Sequence, residues 1–265
     1  MSGQRRLIIY LFIGLTILLF CLIGCKNDMS KEKSGSAEEL EYTKDPTGYL
    51  LYVAPKGYTN RVKELIDAGA DINAKDNNGR TVLNLAVEEG HTDVVKVLIA
   101  NGVDLNDGSL HGAAALGYKD IANMLINAGA YVNDRSDELG YTPLMSAALR
   151  ENPEIIELLI ANGADINARC VEMNTPLIYA AIYGCPKNAE VLIANGADIN
   201  AKNNNGQTAL MFAALNEHVE VARLLIDAGA NVNAKDNNGK TAFIIAREIG
   251  NDKIADFLKE VNTAE

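Results

Sequence analysis

The chain has no tryptophan, and aromatic residues fill only 6% of its 265 positions. That is too little ring volume for a large aromatic core, whereas the many alanines and glycines suit helices that stack closely. Cationic side chains are also scarce, with 24 Lys and Arg against 35 Asp and Glu, a net charge of −11. Residues 1–24 hold Arg5 and Arg6 and no acid, so the remaining 22 basic and 35 acidic residues carry −13. Such a surface repels phosphate backbones and anionic headgroups, which excludes nucleic acid and favours neutral or basic partners; solubility alone also accounts for the acidic excess. Histidine numbers three and cysteine four, with no His-Glu-x-x-His run, paired-cysteine metal pattern, glycine-rich phosphate loop or nucleophile elbow. Asp-x-Asn pairs such as Asp71 and Asn73 lack the ligand density of a calcium loop. No catalytic residue, cofactor, metal or small-molecule substrate is expected.

What is present begins with a leader. Arg5 and Arg6 precede an uncharged run from Leu7 to Gly24 that ends Leu22-Ile23-Gly24-Cys25. Residues 1–24 read as a targeting segment that stands outside the fold. The closing tetrad resembles the lipoprotein box of bacteria, where the signal is cleaved before a cysteine that becomes the lipidated first residue. That resemblance implies lipidation at Cys25 and a protein anchored on the periplasmic or cell-surface side of a membrane. An uncleaved anchor stays open, because the 18 residues of the run nearly span a bilayer. Lys26 stands where the same resemblance would place an Asp for inner-membrane retention, which leans towards the outer membrane. Residues 25–45, rich in Ser, Lys and Glu and without apolar periodicity, read as the lipidated cysteine and a flexible linker.

Beyond the linker one stretch returns. Leu159 to Asn167 reads Leu-Ile-Ala-Asn-Gly-Ala-Asp-Ile-Asn and recurs letter for letter at Leu192 to Asn200, with looser copies from Leu65, Leu98, Leu125 and Leu225. The glycines Gly69, Gly102, Gly129, Gly163, Gly196 and Gly229 are spaced 33, 27, 34, 33 and 33 residues apart. A fixed period in this range marks a stacked array of units, none of which buries its apolar face alone. Each copy reads as a helix end: Leu-Ile is the buried pair, glycine takes the left-handed position, and the Asp and Asn suit the turn that follows.

Thr142-Pro143-Leu144-Met145-Ser146-Ala147-Ala148 and Thr175-Pro176-Leu177-Ile178-Tyr179-Ala180-Ala181 open two units, with relatives at Thr81, Thr208 and Thr241. These openings, the period and the Gly-Ala-Asp-x-Asn endings resemble the ankyrin repeat. The resemblance covers residues 46–262 and implies an all-α solenoid of helix–turn–helix units with β-hairpin fingers. The residues agree with it independently. The threonines stand where a side-chain oxygen caps a helix, with proline next at 143 and 176. The first helix of each unit keeps Ala86, Ala113, Ala147, Ala180, Ala213 and Ala246 on one side, and the second carries an apolar stripe such as Ile155-Ile156-x-Leu158-Leu159-Ile160. Asn78-Gly79, Asn205-Gly206 and Asn238-Gly239 are hairpin signals. Counting openings gives seven units, starting near residues 47, 80, 107, 140, 174, 207 and 240. Pro55 interrupts the first, and the third is six residues short and lacks its finger, either as a tolerated surface deletion or as a notch that shapes a groove.

Register also answers the remaining reactive side chains. His111 falls on the resemblance's Thr-Pro-Leu-His position, while His91 and His218 share one position four units apart and cannot meet at a metal. Cys170 and Cys185 are separated by a helix of about nine residues, roughly 13 Å of rise, beyond disulfide reach. Two free thiols are expected.

The resemblance places partner contacts on a concave wall of fingers and first helices, with variable positions just before the inter-helix break. Here these are Glu88-Glu89, Ala115-Leu116, Leu149-Arg150, Ile182-Tyr183, Leu215-Asn216 and Glu248-Ile249. With Tyr141, Val171 and Met173 on nearby fingers, they predict an apolar central patch rimmed by charge, unless Leu149 and Leu215 are partly buried between stacked helices. The candidate protein-binding residues are Leu116, Tyr141, Leu149, Arg150, Met173, Ile182, Tyr183, Leu215 and Asn216, with Tyr183 as the anchor. The expected function is non-enzymatic protein–protein interaction by a membrane-tethered monomer; an envelope component that stabilises a periplasmic enzyme is the alternative.

Overall fold

The computed structural model describes residues 45–135 and 138–264. The leader, Cys25 and the linker up to residue 44 lie outside the described residues. Fourteen α-helices among the described residues form seven antiparallel pairs: α1 (Pro46–Val53) with α2 (Thr59–Asp67), α3 (Val82–Glu88) with α4 (Thr92–Ala100), and α5 (Ser109–Leu116) with α6 (Lys119–Asn127). There follow α7 (Pro143–Ala148) with α8 (Pro153–Ala161), α9 (Pro176–Tyr183) with α10 (Pro186–Ala194), α11 (Ala209–Leu215) with α12 (Val219–Asp227), and α13 (Ala242–Ile249) with α14 (Asp252–Ala264). First helices stack on first helices and second on second, so each unit touches mainly its neighbours in sequence. Pro55 ends α1 early, in a 3₁₀ turn over Ala54–Lys56.

The local devices follow from the repeated residues. Thr81, Thr142, Thr175 and Thr241 each accept a hydrogen bond from the backbone N–H three residues on, at 3.0, 3.3, 3.3 and 3.4 Å. Thr208 holds the same position without that bond. The six repeated alanines of the first helices are fully buried, and their small side chains let the helices approach. At the end of each of the first six second helices the glycine is left-handed, as at Gly163 with φ 86°. Gly163 N–H then bonds to Ile160 O at 3.0 Å and Ala164 N–H to Leu159 O at 3.0 Å, the paired bonds of a Schellman ending. A Cβ on Gly163 would meet nothing within 4 Å, so the glycine serves the backbone angle alone.

The final asparagine of the nonamer does more than turn the chain. Its Oδ1 accepts a backbone N–H from the equivalent loop of the next unit: Asn73 from Asp104 at 2.9 Å, Asn133 from Asp165 at 2.7 Å, Asn167 from Asp198 at 2.8 Å and Asn200 from Asn231 at 2.8 Å. The copied stretch is therefore also the tie between units.

The fingers are turns rather than strand ladders. Among the described residues the β-structure is a single antiparallel bridge, between Lys75 and Thr81. Each regular finger is closed by its first side chain: Asp76 Oδ1 accepts from Asn78 and Arg80 N–H, both at 2.9 Å, and Asn203 and Asp236 repeat the pattern. The third unit does lack its finger. There α5 starts from Gly108 in the left-handed region, Asp107 accepts from the Thr81 hydroxyl, and Asn84 Nδ2 donates to Ser109 Oγ at 2.8 Å. The shortened unit is thus closed against the cap of the one before it.

Candidate protein-binding face

The helix ends before each break supply half of the face. Leu116, Leu149, Ile182, Tyr183 and Leu215 are half-buried there, and the last four pack against the core. Partial burial of Leu149 and Leu215 between stacked helices is therefore what the fold imposes, and their apolar edges alone face outward. Burial also raises the Tyr183 hydroxyl above its ordinary pKa, so it stays protonated as an apolar ring with a polar tip. Arg150 and Asn216 are exposed. The Asn216 amide is committed to the carbonyls of Ile182, at 3.2 Å in the preceding unit, and Phe212, also at 3.2 Å.

Tyr141 is not a surface contact. Its side chain is 7% exposed, its ring lies 5.1 Å from that of Tyr179, and its hydroxyl accepts from the Tyr179 hydroxyl at 2.9 Å. Asn174 Nδ2 bonds to the Tyr179 oxygen at 3.4 Å, Cys170 Sγ lies 3.4 Å from it, and Asn203 Nδ2 reaches Asn174 Oδ1 at 3.1 Å. This buried network joins the finger bases of the fourth, fifth and sixth units. Burial pushes the Tyr141 and Tyr179 hydroxyls far above their ordinary values.

Above that network lies the exposed apolar surface. Leu139, Val171 and Met173 are 38%, 64% and 37% exposed. Val171 N–H bonds to Leu139 O at 2.9 Å, which brings the fourth and fifth fingers together. Asn204 N–H then bonds to Glu172 O at 3.1 Å and Asn237 N–H to Asn205 O at 3.0 Å, lacing the fingers on to the seventh. Met173 takes φ 63° where Gly79, Gly140, Gly206 and Gly239 take 80°, 68°, 73° and 78°. A long side chain is thus held in a conformation that favours glycine. Leu139 was missed by the sequence reading, although it stands in register with Asn78, Asn205 and Asn238 and departs from them as plainly as Met173 departs from glycine.

Charge flanks this middle. In the second unit Arg80 bonds to Asp76 at 2.8 Å and to Glu88 at 2.9 Å, and in the seventh Lys240 pairs with Glu248. Glu88 and Glu248 occupy the position that Leu149, Ile182 and Leu215 fill in between.

The histidines are ties between units. His91 Nε2 lies 2.9 Å from Pro55 O and His218 Nε2 3.1 Å from Ile182 O, each a carbonyl of the preceding unit. His111 Nε2 lies 3.2 Å from Tyr141 O in the following one. Cys170 and Cys185 are buried free thiols. Among the described residues no three His, Cys, Asp or Glu side chains gather as a metal site, and no helix is long and apolar enough to cross a membrane.

A family model described as ankyrin repeats (three copies) matches residues 17–109, 50–136, 110–203 and 189–264. Among curated proteins, the chain is 31% identical over 115 residues to serine/threonine-protein kinase 12 of Arabidopsis thaliana, covering 43% of this chain and 19% of that protein. It is 43% identical over 56 residues to ankyrin repeat and SOCS box protein 6 of Mus musculus, 21% of this chain and 13% of that one. It is 31% identical over 172 residues to neurogenic locus notch homolog protein 2 of Homo sapiens, 56% of this chain and 7% of that one. The chain thus spans less than a fifth of the length of each.

Proposed function

Because the chain belongs to the ankyrin-repeat family, whose arrays are protein-interaction modules, we propose that it is a non-enzymatic protein-binding module displayed outside a bacterial membrane. Lipidated Cys25 is the tether, and residues 26–45 link it to the array. The reading rests on one observation, the exposed apolar patch of Leu139, Val171 and Met173 on laced fingers. An exposed apolar patch with a charged rim fits a protein partner. The half-buried edges of Leu116, Leu149, Ile182, Tyr183 and Leu215 widen it, and Arg150 and Asn216 supply polar contacts at its border. With a charge of −13 beyond the leader, the array suits a partner whose apolar protrusion has neutral or basic surroundings.

The test is affinity capture of envelope proteins by the whole chain and by two variants. Val171→Asp with Met173→Asp should abolish capture without lowering the thermal midpoint, since both side chains point into water. Tyr131→Ser, at a 62% exposed residue away from the patch, should keep it. Capture that survives the double variant refutes the binding face. Labelled palmitate that is incorporated equally by wild type and Cys25→Ala refutes the tether.

A further inference from the structure

The two ends of the array are built differently. In the second unit Val82, Leu85 and Val94 are 0%, 6% and 0% exposed. One period of 33 residues earlier, in the unit with no other stacked before it among the described residues, stand Tyr49, Tyr52 and Arg61. Tyr52 is 46% exposed there and its neighbour Tyr58 57%. These side chains form one surface. The rings of Tyr49 and Tyr52 are 5.7 Å apart, Lys56 Nζ sits 4.6 Å above the Tyr52 ring, and the Arg61 guanidinium lies 5.7 Å from that of Tyr49. A shallow open hollow of about 600 Å³ separates Tyr49, Tyr58 and Arg61, with Glu64 bonded to Arg61 at 2.7 Å. Three of the chain's ten tyrosines gather on this end. At the opposite end α14 instead exposes Asp252, Lys253, Asp256, Lys259 and Glu260, a largely charged outer face, and the last unit adds Ile244 and Ile249 at 39% and 42% exposure but no tyrosine.

We propose that the tyrosine-rich end of the first unit is a bilayer contact, lying against the headgroup region of the membrane that carries Cys25. The proposal rests on the tether reading above. Tyrosine with lysine and arginine is the chemistry of the lipid–water boundary, where the ring enters the acyl margin and the hydroxyl or cation stays with water and phosphate. Val, Leu and Val would have served a further stacked unit, as they do in the second; Tyr, Tyr and Arg serve a face that is apolar at its base and wet at its tips. Position agrees with composition. Asp45 is 20 residues from Cys25, and even at full extension a chain of that length reaches no more than about 70 Å, so the end face stays confined near the bilayer that holds Cys25. Confinement of this kind raises the local concentration enough for a weak contact to stay closed. The acidic remainder of the array is kept off an anionic surface, so the solenoid stands on its first unit and its binding face points sideways and outward.

The absence of tryptophan makes the test direct. Full chain carrying Tyr52→Trp is purified from membranes of a bacterial host and reconstituted in vesicles of phosphatidylethanolamine and phosphatidylglycerol, with and without a lipid spin-labelled just below the headgroup. The indole should shift to the blue and lose emission to the spin label. The same probe at Ile249→Trp, 42% exposed at the far end, should do neither. Adding Tyr58→Glu should remove the quenching while the protein still floats with the vesicles. Protein that floats but leaves the Tyr52→Trp indole unquenched overturns the contact and spares the tether. Protein that fails to float overturns the tether and the contact with it. Equal quenching at both ends overturns the upright posture. A blue shift without vesicles that follows protein concentration assigns the face to a second copy of the chain and overturns the bilayer.

Discussion

Replacing Met173 with glycine should make the protein more stable and a poorer binder. Met173 sits at φ 63°, and an L-residue in that region costs roughly 1–2 kcal/mol. The backbone bonds of the turn, Met173 N–H to Cys170 O at 2.8 Å and Cys170 N–H to Asn174 O at 3.2 Å, survive the change. Glycine returns part of the gain, roughly 0.5–1 kcal/mol, through the larger entropy of the unfolded chain. The expected net is about 0.5–1 kcal/mol of added stability, or about 1–4 °C in the thermal midpoint for an array of this size. Glu217 supplies the internal comparison. It is exposed at φ 59° in an inter-helix break where Gly90, Gly117, Gly184 and Gly250 stand in other units. Glu217→Gly should stabilise by a similar amount and leave partner capture unchanged, whereas Met173→Gly should weaken capture. Circular dichroism melts of both variants, beside capture, decide the matter. A lower midpoint for Met173→Gly together with a higher one for Glu217→Gly would show that the thioether packs rather than strains. The case for a retained binding side chain would then collapse.

Asn167→Ala removes an Oδ1 that accepts Asp198 N–H at 2.8 Å and an amide that reaches Gly196 O at 3.4 Å, both in the next unit. The cost should be about 0.5–1.5 kcal/mol, read as a lower urea midpoint; a midpoint equal to wild type would deny the tie between units any energetic weight. The Cys185 thiol responds to pH. Burial raises Cys185 from 9.0 to about 11, so the unfolded chain loses this proton first. Its contribution is present in full below pH 9 and is lost as pH rises from 9 through 11, with the raised Tyr141 and Tyr179 hydroxyls acting in the same direction above pH 10. Urea midpoints should therefore fall between pH 9 and 11, less steeply in Cys185→Ala, and a flat profile would contradict the burial. Alkylation of Cys170 and Cys185 should track global unfolding rather than run ahead of it.

The architecture was readable because each device occurs several times at one spacing. A single glycine after Leu-Ile is weak evidence of a helix end, but the same glycine at Gly69, Gly102, Gly129, Gly163, Gly196 and Gly229 fixes the register of everything between. Departures from register were readable for the same reason, which is how Val171 and Met173 stood out. Depth was not readable. Helical periodicity says which face Leu149 and Leu215 share, but their exposure depends on how far the neighbouring unit overlaps them, and that is set by packing angles no single unit encodes. Tyr141 failed on the same ground. The regular fingers carry Arg80, Gln207 and Lys240 at its position, so a finger residue there reads as surface. Only the approach of Tyr179 from the next unit, 5.1 Å away, turns the ring inward.

That inward turn bears on the binding face. An exposed side chain held at positive φ persists only where its surroundings over-determine the backbone, since a loose finger would relax to remove the strain. Around Met173 the surroundings do so from three sides. The Tyr141, Tyr179, Asn174 and Asn203 network fills the finger bases with satisfied hydrogen bonds, and backbone bonds from Val171 to Leu139 and from Asn204 to Glu172 clamp the tip between its neighbours. Asn133 and Asn167 tie the loops of the third, fourth and fifth units, with amide nitrogens on Gly163 O and Gly196 O as well as oxygens on the next N–H. The third unit, which lacks a finger, cannot contribute such a clamp, and the apolar tip residues begin only at the fourth. Apolar side chains presented on an already ordered backbone lose little further entropy when a partner arrives. If the proposed face binds, residues that never touch a partner govern its affinity through the unbound state, and Tyr179→Phe should weaken capture without altering a single exposed atom.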